Sequence, residues 1–112
     1  MSYQLKTVKK SPNTKKKFRA TFLNLKTKKE KNVDFGANGM RDFTLISDKN
    51  SKFYIKDKEE REKVKDNYQK RHKKDLLTEN NKLGIGAGAL SFYLLWTTPK
   101  MNINSYKKRF NL

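Results

Sequence analysis

The fold is decided by the stretch Lys17-Phe18-Arg19-Ala20-Thr21-Phe22-Leu23. Its two phenylalanines and its alanine occupy every second position, and an apolar period of two is typical of a strand with one buried face. The lysine-rich residues 26–29 read as a turn, and the alternation resumes over residues 32–35. Residues 17–35 therefore predict an antiparallel β-hairpin.

The sheet is predicted to continue after a break. Two glycines and an asparagine in residues 36–39 tolerate positive φ and end the first hairpin. Two runs of β-branched and aromatic residues, 43–46 and 52–55, then flank the turn-like residues 47–51. They predict a second hairpin, so that the sheet would span about residues 17–56.

The pattern becomes helical after Asp57, a residue suited to the N-cap position. Glutamates follow in the first turn and basic residues gather near the end, as the helix dipole favours. Val64 and Tyr68 are four residues apart and therefore share one face. The sequence predicts a helix over residues 58–73 that is polar on most sides.

A loop is expected over residues 76–83, and an uncharged segment, residues 83–99, follows it. Its apolar part, residues 87–96, falls short of the roughly 20 residues that a membrane span needs, so a buried core helix is predicted and a membrane partner is not expected. The segment opens with a loose Gly-x-Gly-x-x-Ala pattern at residues 84–89. A dinucleotide-binding motif would need a preceding strand and an acidic residue about 20 positions later. Because neither is expected here, we interpret these small residues as packing against another element.

A short terminal helix is predicted where Ile103, Tyr106 and Phe110 share a face. The chain is thus expected to belong to the α+β class, with a small antiparallel sheet followed by two or three helices. Residues 17–112 would form one small domain.

Residues 1–16 are lysine-rich with little to bury, so they are predicted to form a flexible basic arm that orders on a partner, or a solvated tail that contacts nothing.

The net charge is +17, from 28 basic and 11 acidic residues. Residues 1–31 hold 11 of the basic groups and one of the acidic groups, so more than half of the excess lies there. A charge of this size repels itself and is tolerated where a polyanion neutralises it, such as nucleic acid, an anionic membrane or an acidic protein surface. Lysine far outnumbers arginine, which suits non-specific phosphate contacts rather than base reading.

The candidate polyanion-binding residues are the basic residues of the first 29 positions, namely Lys6, Lys9, Lys10, Lys15, Lys16, Lys17, Arg19, Lys26, Lys28 and Lys29. Three aromatic residues of the C-terminal part, Trp96, Tyr106 and Phe110, are candidates for docking a protein partner.

Nothing in the sequence indicates catalysis. There is no cysteine, and the single histidine, His72, lies among cations that repel metal ions. Glu59, Glu60 and Glu62 alternate with basic residues, as on a solvated helix face. The protein is therefore predicted not to be an enzyme, and no cofactor, metal or small-molecule substrate is expected.

Four segments in a fixed order carry a family resemblance, and they are Val-Asp-Phe-Gly…Gly-Met-Arg-Asp-Phe-Thr at 33–44, Tyr-Gln-Lys-Arg-His-Lys-Lys at 68–74, residues 86–96 and Tyr-Lys-Lys-Arg-Phe at 106–110. The chain resembles the small, mostly uncharacterised proteins of nucleocytoplasmic large DNA viruses, the giant viruses of algae and amoebae, over about residues 17–110. That family pattern would place an aromatic residue near Met40 and a tryptophan near Leu77, and this sequence has neither. The resemblance implies a viral source and a place in the virion.

Two functional hypotheses follow. The first is a minor structural protein of a large DNA virus, which meets its partners in the host cytoplasm during assembly and lies inside the capsid, bound to capsid proteins, packaged DNA or both. The second is a non-specific nucleic-acid-binding protein for genome condensation or transcription, and a ribosome-associated protein would have a similar composition.

Overall fold

The computed structural model describes residues 2–112, so Met1 of the predicted arm lies outside it. Three strands, β1 (Tyr3–Lys10), β2 (Lys16–Asn24) and β3 (Glu30–Ala37), form an antiparallel sheet with β2 in the centre. Helices cover one side of this sheet. The predicted α+β class is confirmed.

The helical segments after the sheet are α1 (Phe43–Ile46), α2 (Lys58–His72), a 3₁₀ turn (Lys73–Leu77), α3 (Glu79–Lys82), α4 (Ala87–Leu90), a π-helical turn (Ser91–Leu95) and α5 (Ile103–Phe110). The helix predicted over residues 58–73 is α2, and the side chain of Asp57 caps it by accepting from the Glu59 N–H. The predicted terminal helix is α5. The predicted loop over 76–83 instead contains the end of the 3₁₀ turn and α3.

The hairpin predicted over residues 17–35 is confirmed as β2 and β3. Phe18 pairs with Phe35 and Ala20 with Val33, which places the apolar residues of both strands on the same face. The connecting turn is closed by Asn24, whose side-chain oxygen accepts from the N–H groups of the next turn residues, Lys26 and Thr27.

The prediction of a flexible arm over residues 1–16 is wrong for the part that the structure describes. β1 pairs with β2 along its length, Leu5 is buried with 1% of its surface exposed, and its N–H donates to the carbonyl of Leu112. A bulge after Leu5 shifts the pairing, so the next inward side chain is Val8 rather than Thr7. This extra residue breaks the period of two that would have predicted a strand.

The predicted second hairpin is also wrong. Residues 43–46 form α1 because the buried side chain of Asp42 accepts from the Leu45 N–H and the Thr44 hydroxyl. Residues 52–55 form no strand. A single backbone bond, from the Ile55 N–H to the Ile46 carbonyl, joins the two runs. The N-cap therefore outweighs the β propensity of the apolar run that follows it.

The core lies between the sheet and the helical segments. Its largest fully buried apolar side chains are Leu5, Phe22, Phe35, Ile46, Leu90, Leu94 and Leu95. Three of these come from residues 87–96, which confirms that this segment is buried, although it folds as two short turns of different pitch. No helix within residues 2–112 is long and apolar enough to cross a membrane.

The glycine-rich pattern at residues 84–89 is explained by packing, as predicted. The side chain of Asn81 lies against Gly86 and Gly88, and a Cβ at either position would displace it. Its amide oxygen accepts from the Ala89 N–H, and its amide nitrogen donates to the Asp75 carbonyl. The glycines thus give Asn81 room to join the 3₁₀ turn to α4.

Candidate functional site

Three of the ten predicted polyanion-binding residues are neutralised within the chain. Lys6 pairs with Glu30 at 2.5 Å, Lys17 with Asp42 at 2.6 Å, and Arg19 Nε with an oxygen of Asp34 at 2.7 Å. The hydrogen bond between Arg19 and Asp34 raises the pKa of the guanidinium and lowers the pKa of the carboxyl. Because a carboxylate of the chain already balances their charge, these three cations add little to the attraction of an external polyanion.

The other seven are exposed lysines that form no ion pair within residues 2–112. Four of them, Lys9, Lys10, Lys15 and Lys16, surround the turn between β1 and β2 and are called here the first-turn cluster. The second-turn cluster consists of Lys26, Lys28 and Lys29, between β2 and β3. The two clusters lie at opposite ends of β2, about 25 Å apart for nine strand residues. The structure thus divides the predicted patch in two.

The aromatic residues predicted to dock a partner are mostly unavailable. Trp96 is 8% exposed and Tyr106 is 2% exposed, and both belong to the chain's own core. The Tyr106 hydroxyl donates to the Gly84 carbonyl at 2.8 Å. Phe110 is half-buried against the rings of Tyr106 and Tyr93. The docking prediction is therefore wrong for Trp96 and Tyr106, since their apolar surface is already covered.

A cleft of about 730 Å³ opens where four parts of the chain meet. Its walls come from the adjoining ends of β2 and β3, the loop before α1, the second half of α2 and the π-helical turn. This volume is within the range of pockets that hold small ligands or peptide side chains. Sequence reasoning missed the cleft because its residues are far apart in the chain. The only signal was that the resemblance segments at 33–44, 68–74 and 86–96 each contribute to it.

One side of the cleft is aromatic and apolar. The ring of Tyr68 stacks on that of Trp96 with centroids 4.1 Å apart and planes 7° from parallel, and it also contacts the ring of His72 at 4.3 Å. Burial of Tyr68 raises the pKa of its phenol. Val64 and Leu95 extend this wall, and Met40 lies beside it with 62% of its surface exposed.

The other side carries cations. Lys17 and Asp42 lie at its base, and the Lys17 ammonium donates to Asp42 and, at 2.7 Å, to the Met40 carbonyl. Arg41 and Arg71 are exposed at its edge, and neither guanidinium forms an ion pair or a hydrogen bond within residues 2–112. The His72 Nδ1 contacts Asp75 at 2.9 Å. The cleft is therefore electropositive.

No three histidine or acidic side chains among residues 2–112 lie close enough together to hold a metal ion.

A comparison with protein families finds a similarity over part of the chain. No curated protein and no solved structure matches the chain significantly. Residues 6–54, which run from β1 to the segment after α1 and make up less than half of the chain, are similar to the model of a family of unknown function, DUF5754.

Proposed function

We propose that the protein is a non-catalytic structural protein that binds anionic partners through its two lysine clusters, in the virion of a large DNA virus. The observation that carries the proposal is the set of seven exposed, unpaired lysines at the two turns of one sheet, in a chain of net charge +17. The resemblance to proteins of giant viruses supplies the setting, with capsid proteins and packaged DNA as the partners.

The lysine clusters are presented by ordered turns. In the first turn the Ser11 hydroxyl accepts from the Asn13 N–H, and the Asn13 side chain accepts from the Lys15 N–H. In the second turn the Asn24 side chain fixes the backbone before Lys28, which adopts a positive φ of 62°. Because the backbone is fixed beforehand, binding would lose less conformational entropy than binding by a disordered arm.

The position of the clusters favours a bridging role. A separation of about 25 Å is larger than the Debye length of about 8 Å at physiological salt, so each cluster would attract its own anionic surface. A protein that ties a capsid shell to DNA, or two acidic capsid surfaces to each other, needs this arrangement. The second hypothesis, a non-specific nucleic-acid-binding protein, is supported by the same lysines, because point charges on mobile stems suit phosphates.

Salt dependence of DNA binding tests the proposal. For about six neutralised phosphates, log K should fall with log salt at a slope of about −5 on duplex DNA and should not depend on base sequence. The variant K10Q/K15Q/K16Q should flatten this slope by two to three, at roughly one per lost contact. The control K70Q/K73Q/K74Q removes the same charge from the end of α2 and should leave the slope nearly unchanged. If both variants flatten the salt slope equally, or if binding strongly prefers one DNA sequence, a role for the clusters is contradicted.

A further inference from the structure

We propose that the cleft between the sheet, α2 and the π-helical turn binds an acidic segment of a protein partner. A carboxylate of that segment would be held by Arg41, Arg71 and Lys17, and a neighbouring apolar side chain would lie against Met40 and the aromatic wall. This inference rests on the proposed function, because it assumes that the protein binds anionic partners as a structural protein. The residues that bind the segment lie outside the lysine clusters.

The cleft offers hydrogen-bond donors to a ligand and has its one carboxylate occupied. Asp42 lies at the base of the cleft, and its two oxygens accept from Lys17, Thr44 and Leu45. An ammonium has three N–H groups, and Lys17 directs two of them at the acceptors in Asp42 and the Met40 carbonyl. Its side chain is only 12% exposed, so the third N–H is available mainly to a group that enters the cleft.

The two arginines at the edge complete the anion site. A guanidinium presents a planar fork that matches a carboxylate bidentately, and Arg41 and Arg71 have no carboxylate partner within residues 2–112. Within residues 2–112, they are the only arginines that line this cleft. Lysines alone would be enough for diffuse attraction of a polyanion, whereas arginines at the edge of a concave site add geometric selection.

The apolar half of the cleft favours a peptide over a nucleic acid. Bases bind single-stranded sites by stacking on free aromatic faces, but Tyr68 and Trp96 already stack on each other and Trp96 is buried. Methionine, arginine and aromatic residues together are typical of the centre of protein interfaces. The exposed Met40, next to the unpaired Arg41, therefore fits an acidic peptide that also carries an apolar side chain.

The test uses two probes on the full chain: a fluorescein-labelled octapeptide, Gly-Asp-Leu-Glu-Asp-Leu-Glu-Gly, measured by fluorescence anisotropy, and its Asn/Gln counterpart as the uncharged control. The variant R41Q/R71Q should weaken binding of the acidic peptide at least tenfold, because each lost charge-assisted contact is worth about a factor of ten. The variant K15Q/K16Q removes the same charge from the first-turn cluster and should weaken peptide binding less than about threefold. Backbone amide NMR signals of residues 40–42, 67–72 and 91–96 should shift on peptide addition.

DNA binding separates this inference from the proposed function. K15Q/K16Q should lower DNA affinity more than R41Q/R71Q does, which is the reverse of the order expected for the peptide. Because Arg41 and Arg71 are exposed and unpaired, both variants should keep the wild-type melting curve. The inference would be overturned if the two variants lost the same amount of affinity for the acidic peptide. It would also be overturned if the wild type showed no saturable peptide binding up to about 1 mM. Stronger competition by a 5′-phosphorylated oligonucleotide than by unlabelled peptide would overturn it in favour of a phosphate ligand.

Discussion

Single polar side chains that are buried or partly buried fix the loops of this protein. Asp42 starts α1, Asn81 joins the 3₁₀ turn to α4, and Tyr106 ties α5 to Gly84. The capping role of Asp57 could be predicted because Glu59 and Glu60 lie in the first turn of the helix that it starts. That of Asp42 could not, since an apolar run follows it and its partner Lys17 lies 25 residues earlier. A contact between residues so distant in the chain leaves no local pattern in the sequence.

Replacing Tyr106 by phenylalanine tests the contribution of its buried hydrogen bond to the Gly84 carbonyl. The free energy of unfolding at pH 7 should fall by about 1–3 kcal/mol, because the buried Gly84 carbonyl loses its donor. Urea unfolding measures this change. Tyr54→Phe is the control, since the partly exposed Tyr54 hydroxyl makes no hydrogen bond within residues 2–112. Equal stability of the two variants would show that the Tyr106 bond adds nothing.

The Tyr106→Phe variant should also change how the free energy of unfolding depends on pH. Burial raises the pKa of Tyr106, so the folded state favours the neutral phenol. The resulting stability is fully present below the unfolded pKa of about 10 and is lost as pH rises from there toward the folded pKa. The wild type should therefore lose more stability than Tyr106→Phe above about pH 10. Part of the slope should remain in the variant, because burial also raises the pKa of Tyr68.

A local sequence pattern is enough to predict some secondary-structure elements of this protein but not others. β2, β3 and α5 could be predicted because their apolar residues recur with one period. α2 could be predicted because Asp57 caps it and its acidic and basic residues follow the helix dipole. β1 could not, because the bulge after Leu5 changes the spacing of its inward side chains. Its lysines look like those of a disordered tail, although the strand contributes to the core.

The contribution of β1 is tested by Leu5→Ala. Leu5 is fully buried against the sheet core, so its truncation should lower the free energy of unfolding by about 2–5 kcal/mol in a denaturant titration. Lys9→Ala, on the same strand but exposed, should change it by less than about 0.5 kcal/mol. If both variants unfold at the wild-type denaturant midpoint, β1 does not contribute to the stability of the domain.

At the scale of the whole molecule, the chain is elongated, with extents of 47 × 28 × 22 Å. Its α+β class and its excess charge in the first 31 residues could be predicted from composition and periodicity. The division of the lysines into two clusters could not, because it depends on β1 folding back along β2. The cleft could not be predicted either, because α2 and the π-helical turn meet the sheet only through tertiary packing.

The central claim, that the two clusters bind two anionic surfaces at once, is tested most directly by a DNA-bridging measurement. Duplex DNA is fixed on beads, the protein is bound at equal occupancy, and capture of a second, fluorescent duplex is recorded. The wild type and K70Q/K73Q/K74Q should capture the second duplex. K10Q/K15Q/K16Q and K26Q/K28Q/K29Q should each still bind the beads but lose most of the capture, since one anionic contact surface is gone. Capture at the wild-type level by both cluster variants would contradict the claim.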